Sequence, residues 1–240
     1  MINLAITGQD TLAAAAWECC RHHHKIVVPK FADIVWSCYD TPIGADDAPD
    51  SDWVIDRISE DVSNTNESAL TLVSSQLPVG STQVLESRFP NRRFAHSPEN
   101  IRVKTAIEDF RNQARIVVGV RTHDDDEMLR QLLSPLTANI IFTTPETAEM
   151  VKHALNCWLG MNIAFINEIA KICRVVDAEV NTITEAMRLD QRLSPKTPIK
   201  AGPPFGGGHL ARDIHTMTMI AKENSISIPI ISHIKESNET

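Results

Sequence analysis

Through residue 143 the chain alternates short apolar runs with longer stretches in which apolar residues recur every three or four positions. The short runs Ile2–Ile6, Asp33–Cys38, Leu70–Ser74, Arg92–Ala95, Arg115–Val120 and Asn139–Phe142 predict strands. Thr11–Cys20, Asp52–Val62, Thr82–Arg88 and Asp125–Leu133 between them predict helices. That alternation predicts an α/β sheet, mostly parallel, with helices on its faces. Lys25–Val28 also has strand character, but only Pro29 to Ala32 separate it from the next strand. A parallel crossover needs about 10 residues or more, so the first half of the sheet is expected to be abbreviated.

From Pro145, a favoured first-turn residue, to Val176 there is no further Pro and one Gly, which predicts a single long helix. Its apolar residues fill two adjoining faces, one including Met150, Ala154, Met161 and Phe165, the other Val151, Leu155, Leu159 and Ile166. Such a helix needs cover on two sides. The α/β domain can supply one; the other falls to a partner subunit through a two-fold contact or to the chain's own remaining helices. A shorter helix is predicted over Val180–Met187, followed by a Pro-rich loop and by Ala201-Gly-Pro-Pro-Phe-Gly-Gly-Gly-His-Leu-Ala-Arg-Asp213. The consecutive Gly206, Gly207 and Gly208 permit positive φ and close backbone approach to a ligand beside a helix start.

The 240 residues suffice for one large domain or two modest ones, and 42% hydrophobic with 22% charged residues is an ordinary globular composition. A formal charge of −8 argues against nucleic acid or an anionic membrane as partner. Five cysteines, odd in number and without metal-ligand spacing, suit a reducing compartment, and the chain is read as cytoplasmic with no metal site. Met1–Gly8 resembles a first strand more than a signal peptide. Ala154–Cys173 is interrupted by Asn156, Asn162, Asn167, Glu168 and Lys171, which predicts a buried helix rather than a membrane span. His22-His-His24 reads as a solvated helix end, and Asp124–Glu127 as solvated charges.

Four stretches resemble the UDP-glucose/GDP-mannose dehydrogenase family, NAD-dependent enzymes that oxidise a nucleotide sugar's C6 alcohol to a carboxylate. They are Ser74-Ser-Gln-Leu-Pro-Val-Gly-Ser-Thr82, Ser97-Pro-Glu-Asn-Ile-Arg102 with the following strand, Thr147–Ala170, and Gly206–Asp213. The resemblance implies a truncated Rossmann-like domain over 1–143, then a helical dimerisation domain over 144–240 with its Gly-rich loop at 202–213. It implies that Lys152 and Asn156, four apart on one helix face, stabilise oxyanion character, and that Asp213 and Glu99 are the family's carboxylates.

The departures from the family pattern are as informative. His209 stands where the family has its nucleophilic Cys, and imidazole cannot form the thiohemiacetal from which a second hydride leaves. Arg212 replaces a Lys, Gln76 a Thr, and Val103 an expected Glu. Gly8-Gln-Asp-Thr-Leu-Ala13 keeps only Gly8 of the Gly-x-Gly-x-x-Gly turn, and Asp10 brings negative charge to the pyrophosphate's place. Val28-Pro-Lys30 occupies the place of the acidic ribose ligand, and the chain ends at Thr240 where the family continues into a third domain.

The expectation is therefore a diverged homologue without the four-electron oxidation and with NAD binding weak or absent. It keeps Lys152, Asn156, His209 and Asp213 for proton-transfer chemistry on a small oxygenated substrate, with His209 as acid or base positioned by Asp213. A ligand oxygen is expected to face Lys152, whose ammonium otherwise lacks a charge partner. Two alternatives stay open: a non-catalytic dimeric module that binds a ligand or pairs with a paralogue, and residual two-electron oxidation with NAD. The expected partner is a second copy through helix 145–176.

Overall fold

A computed structural model describes the chain except Ala45, Asp46, Asn100, Gly207, Thr240 and the side chain of Val103. It divides into two compact units, Met1–Pro42 with Pro49–Lys152, and Ile43–Ala48 with His153–Thr240.

The first unit is an α/β sheet. Among the described residues, β1 (Asn3–Thr7), β2 (Lys25–Ile26), β3 (Ile34–Ser37), β4 (Leu70–Val73), β5 (Arg93–His96), β6 (Ile116–Val120) and β7 (Ile140–Thr143) pair in the order β2-β1-β3-β4-β5-β6-β7. All neighbours are parallel except β5 and β6, which meet as Ala95↔Val120 and His96↔Gly119. The helices of this unit are α1 (Thr11–Cys20), α2 (Ser51–Ser63), α3 (Ser81–Arg88), α4 (Ala106–Arg111), α5 (Asp126–Leu133) and the start of α6 (Pro145–Val176).

Side-chain alternation along the strands sorts the core into two layers. Ile34, Trp36, Leu70 and Leu72 pack with Leu12, Ala16, Phe110 and Leu129 from α1, α4 and α5. Val73 points the other way and packs with Val54, Ile58 and Leu85 from α2 and α3. The helix α4 lies where no helix is predicted; six residues are too few for a periodic signal.

The first half of the sheet is abbreviated as expected, and two expectations of solvated side chains need correction here. Lys25–Ile26 does join the sheet as a parallel strand on the far side of β1 from β3. The crossover is only Val27 to Asp33, and it closes because β2 has two residues and the link tightens into a 3₁₀ turn at Pro29–Phe31. His24 is not solvated: it is buried, and a ring nitrogen lies 3.0 Å from the Leu132 carbonyl, while His22 and His23 are exposed. Asp125 is likewise buried and paired with Arg93.

The second unit contains the rest of α6 with α7 (Val180–Arg188), α8 (Gly208–Glu223), α9 (Pro229–Ser232) and α10 (Ile234–Glu239). Its core gathers Cys157, Ala164, Ile214 and Ile234. A Cβ at Gly160 would come 3.2 Å from Ile214 Cδ1, so this glycine lets α8 lie close on α6. No helix of the described residues is long and apolar enough to cross a membrane. The five cysteines are buried free thiols, and burial pushes Cys20 and Cys157 up to about 12.

The start of α6 seats on the sheet through Gly119 of β6, where a Cβ would fall 2.5 Å from Pro145 Cα and 2.9 Å from Ala148 Cβ. Gly119→Ala is therefore expected to destabilise by about 1–3 kcal/mol through overpacking. Gly202→Ala, where a Cβ meets nothing within 4 Å, serves as its control in urea denaturation.

Candidate functional site

The first half of the long helix α6 carries a polar stripe, Glu149, Lys152, His153 and Asn156, spaced i, i+3, i+4 and i+7. All four side chains are buried, which obliges each to find a partner inside the protein.

In the first unit, Glu149 accepts hydrogen bonds from the backbone N–H groups of Gly80 and Thr82 and from Thr82 Oγ1, at 2.6, 2.8 and 2.7 Å. It caps α3, which Gly80 enters at φ 96°, and burial raises its pKa against those bonds. Lys152 Nζ lies 3.3 Å from Glu99 Oε1, and Glu99 Oε2 accepts from the Ile101 N–H at 2.7 Å. Lys152 thus has a charge partner in its own unit, which corrects the expectation that only a ligand could supply one.

In the second unit, Asp213 on α8 is fully buried. His153 Nδ1 lies 3.2 Å from its Oδ1, Asn156 Nδ2 donates to its Oδ2, and Arg212 Nε stands 3.5 Å from Oδ1. Burial pushes the Asp213 carboxyl up, but His153, Arg212 and Asn156 together outweigh it and hold the pKa below the ordinary value. Asp213 does not position His209, as the four-residue spacing had suggested: His209 is exposed on the first turn of α8. Gly206 is exposed with open space around its Cα, and Gly208 packs on Ile43, where a Cβ would sit 2.2 Å from Cδ1. Gly207 lies outside the described residues.

The structure therefore joins Glu99 with Lys152 and Asn156 with Asp213, and leaves His209 outside both pairs. His153 was missed as a partner of Asp213. Its signal was available, because a polar residue three positions from Asn156 on an apolar helix shares its face.

The turn after β1 belongs to the first unit. Asp10 Oδ1 accepts from the Leu12 and Ala13 N–H groups at 3.0 and 3.2 Å, and Oδ2 accepts from the Asp40 N–H. The donors that a helix N-terminus would offer a phosphate are thus turned to the chain's own carboxylate. Gly8, at φ 106°, is fixed by packing: a Cβ would lie 2.2 Å from the Cys38 carbonyl oxygen. Among the described residues no three His, Cys, Asp or Glu side chains group to hold a metal ion.

Models of the UDP-glucose/GDP-mannose dehydrogenase family match residues 16–137 as its NAD binding domain and residues 146–240 as its central domain. The chain belongs to this family. The UDP-glucose 6-dehydrogenase of Rickettsia bellii (strain RML369-C) is 31% identical over 217 residues, covering 88% of this chain and 50% of that protein. TuaD, a UDP-glucose 6-dehydrogenase of Bacillus subtilis (strain 168), is 31% identical over 215 residues, covering 87% and 46%. The chain spans about half the length of these curated relatives. The structure of a UDP-glucose dehydrogenase from the archaeon Pyrobaculum islandicum superposes with a TM-score of 0.85 at 20% identity, covering 100% of this chain and 68% of that one. The match to the family's NAD binding domain begins downstream of the Gly8–Ala13 turn.

Because the folded-state pKa of Asp213 is depressed, its ionised form contributes stability above the ordinary Asp pKa, lost as pH falls through the folded-state value. Urea midpoints measured from about pH 6 down to about pH 2 should fall across that window, and Asp213→Asn should flatten the fall. The substitution should also cost about 3–5 kcal/mol near neutrality, since it leaves Arg212 buried without its carboxylate.

Proposed function

We propose that this chain is a diverged family member that has left the NAD-dependent four-electron oxidation while keeping part of the family's polar site. The observation that carries the reading is Asp10, whose carboxylate takes the N–H groups of the first turn of α1. A dinucleotide's pyrophosphate would have to displace it and would meet its charge. His209 in place of the thiol supports the same reading from the second unit, since no thioester can form there. The chemistry left to such a chain is proton transfer on a small oxygenated substrate, with the exposed His209 as acid or base. The protein acts in the cytoplasm, a placement that the five buried free thiols favour.

The active form is a homodimer through α6. Trp158, Phe165, Ile172 and Val176 recur along one side of this helix and are 50, 46, 58 and 63% exposed, an apolar stripe longer than a monomer usually leaves in water. A second copy related by a two-fold axis would present the same stripe and cover it.

Calorimetric titration with NAD and with NADH is expected to give no saturable binding at micromolar concentrations; low-micromolar affinity for either overturns the reading. Analytical ultracentrifugation should find a dimer that Phe165→Asp converts to a folded monomer, because the charge would enter the apolar contact. A monomeric parent protein would refute the α6 pairing.

A further inference from the structure

We propose that the guanidinium of Arg212 and the hydroxyl of Thr216 form a binding site for an oxyanion, the carboxylate or phosphate group of a small ligand. Arg212 is 2% exposed and Thr216 5% exposed, and they stand four apart on α8, where side chains share a face. Neither Arg212 Nη1 nor Thr216 Oγ1 has a hydrogen-bond partner among the described residues. A buried guanidinium N–H and a buried hydroxyl left without partners each cost free energy in a protein interior.

Asp213 beside it balances the charge but does not meet Nη1. Its Oδ1 is shared with His153, its Oδ2 takes Asn156, and the approach of Arg212 is a single contact at 3.5 Å from Nε. Nη1 of the guanidinium is therefore left for an acceptor that the described residues do not supply. A planar guanidinium edge suits the paired oxygens of a carboxylate or phosphate, and the Thr216 hydroxyl one turn on can donate to the same group. This site stands on burial and missing acceptors, whether or not the chain performs the proton transfer proposed above.

The test is the thermal unfolding midpoint of the full chain titrated with inorganic phosphate and, separately, with sodium acetate, against sodium chloride at equal ionic strength. Saturable stabilisation beyond the chloride control is expected from one of the two, and which one identifies the oxyanion. Arg212→Met should abolish the response. Thr216→Val, nearly equal in volume, should weaken the apparent affinity about tenfold by removing one donor to a charged group. Should Arg212→Met fail to fold, Arg212→Lys takes its place and should weaken affinity at least tenfold, since an ammonium cannot pair two oxygens. The proposal is overturned if neither anion stabilises beyond chloride, in which case buried water satisfies Arg212. It is equally overturned if a folded Arg212 variant, or Thr216→Val, responds as the parent does.

Discussion

A carboxylate removed from water keeps its charge only where the protein itself supplies donors, and Asp213 is the clearest such group in this chain. Its donors come from two directions: His153 and Asn156 on α6, and Arg212 beside it on α8. Because the α6 pair is three residues apart on one face, α8 meets its donors in one rotation about its axis. Gly160 of α6 then admits Ile214 of α8 at close range, so polar pairing and apolar packing select the same arrangement. The exposed first turn and the buried Arg212 and Thr216 follow from that choice.

The same helix does comparable work in the first unit, where Glu149 closes the open end of α3 and Lys152 neutralises Glu99. Along one stripe of α6 the polar residues are thus divided by partner, two in each unit. The stripe lies within the match to the family's central domain. Removing any one member strands a buried partner, a cost borne by stability.

Most of the fold was legible because strand and helix periods differ plainly in this sequence, and the start of α6 follows from Pro145 at its first position. What escaped had local physical causes. The helix α4 is too short for its period to register, and His24 folds inward through a tertiary contact with Leu132 that no local pattern encodes. In the candidate site, the family resemblance pointed to Lys152 and Asn156 but not to their partners. Asp213 was paired with His209 by helical arithmetic, yet the first turn of α8 is exposed and the buried turn behind it faces α6. Asp10 was legible as a charge; that its carboxylate would gather N–H groups from the first turn of α1 and from Asp40 needed the structure.

The distribution of the thiols carries a practical consequence. Cys19, Cys20 and Cys38 sit in the core of the first unit, and Cys157 and Cys173 in the second. With burial holding Cys20 and Cys157 up at about 12, these two thiols stay protonated in the closed protein. An alkylating reagent can then modify these sulfurs only when the surrounding unit opens. Peptide mapping of the modified cysteines would report, from native residues alone, which of the two units breathes and how often.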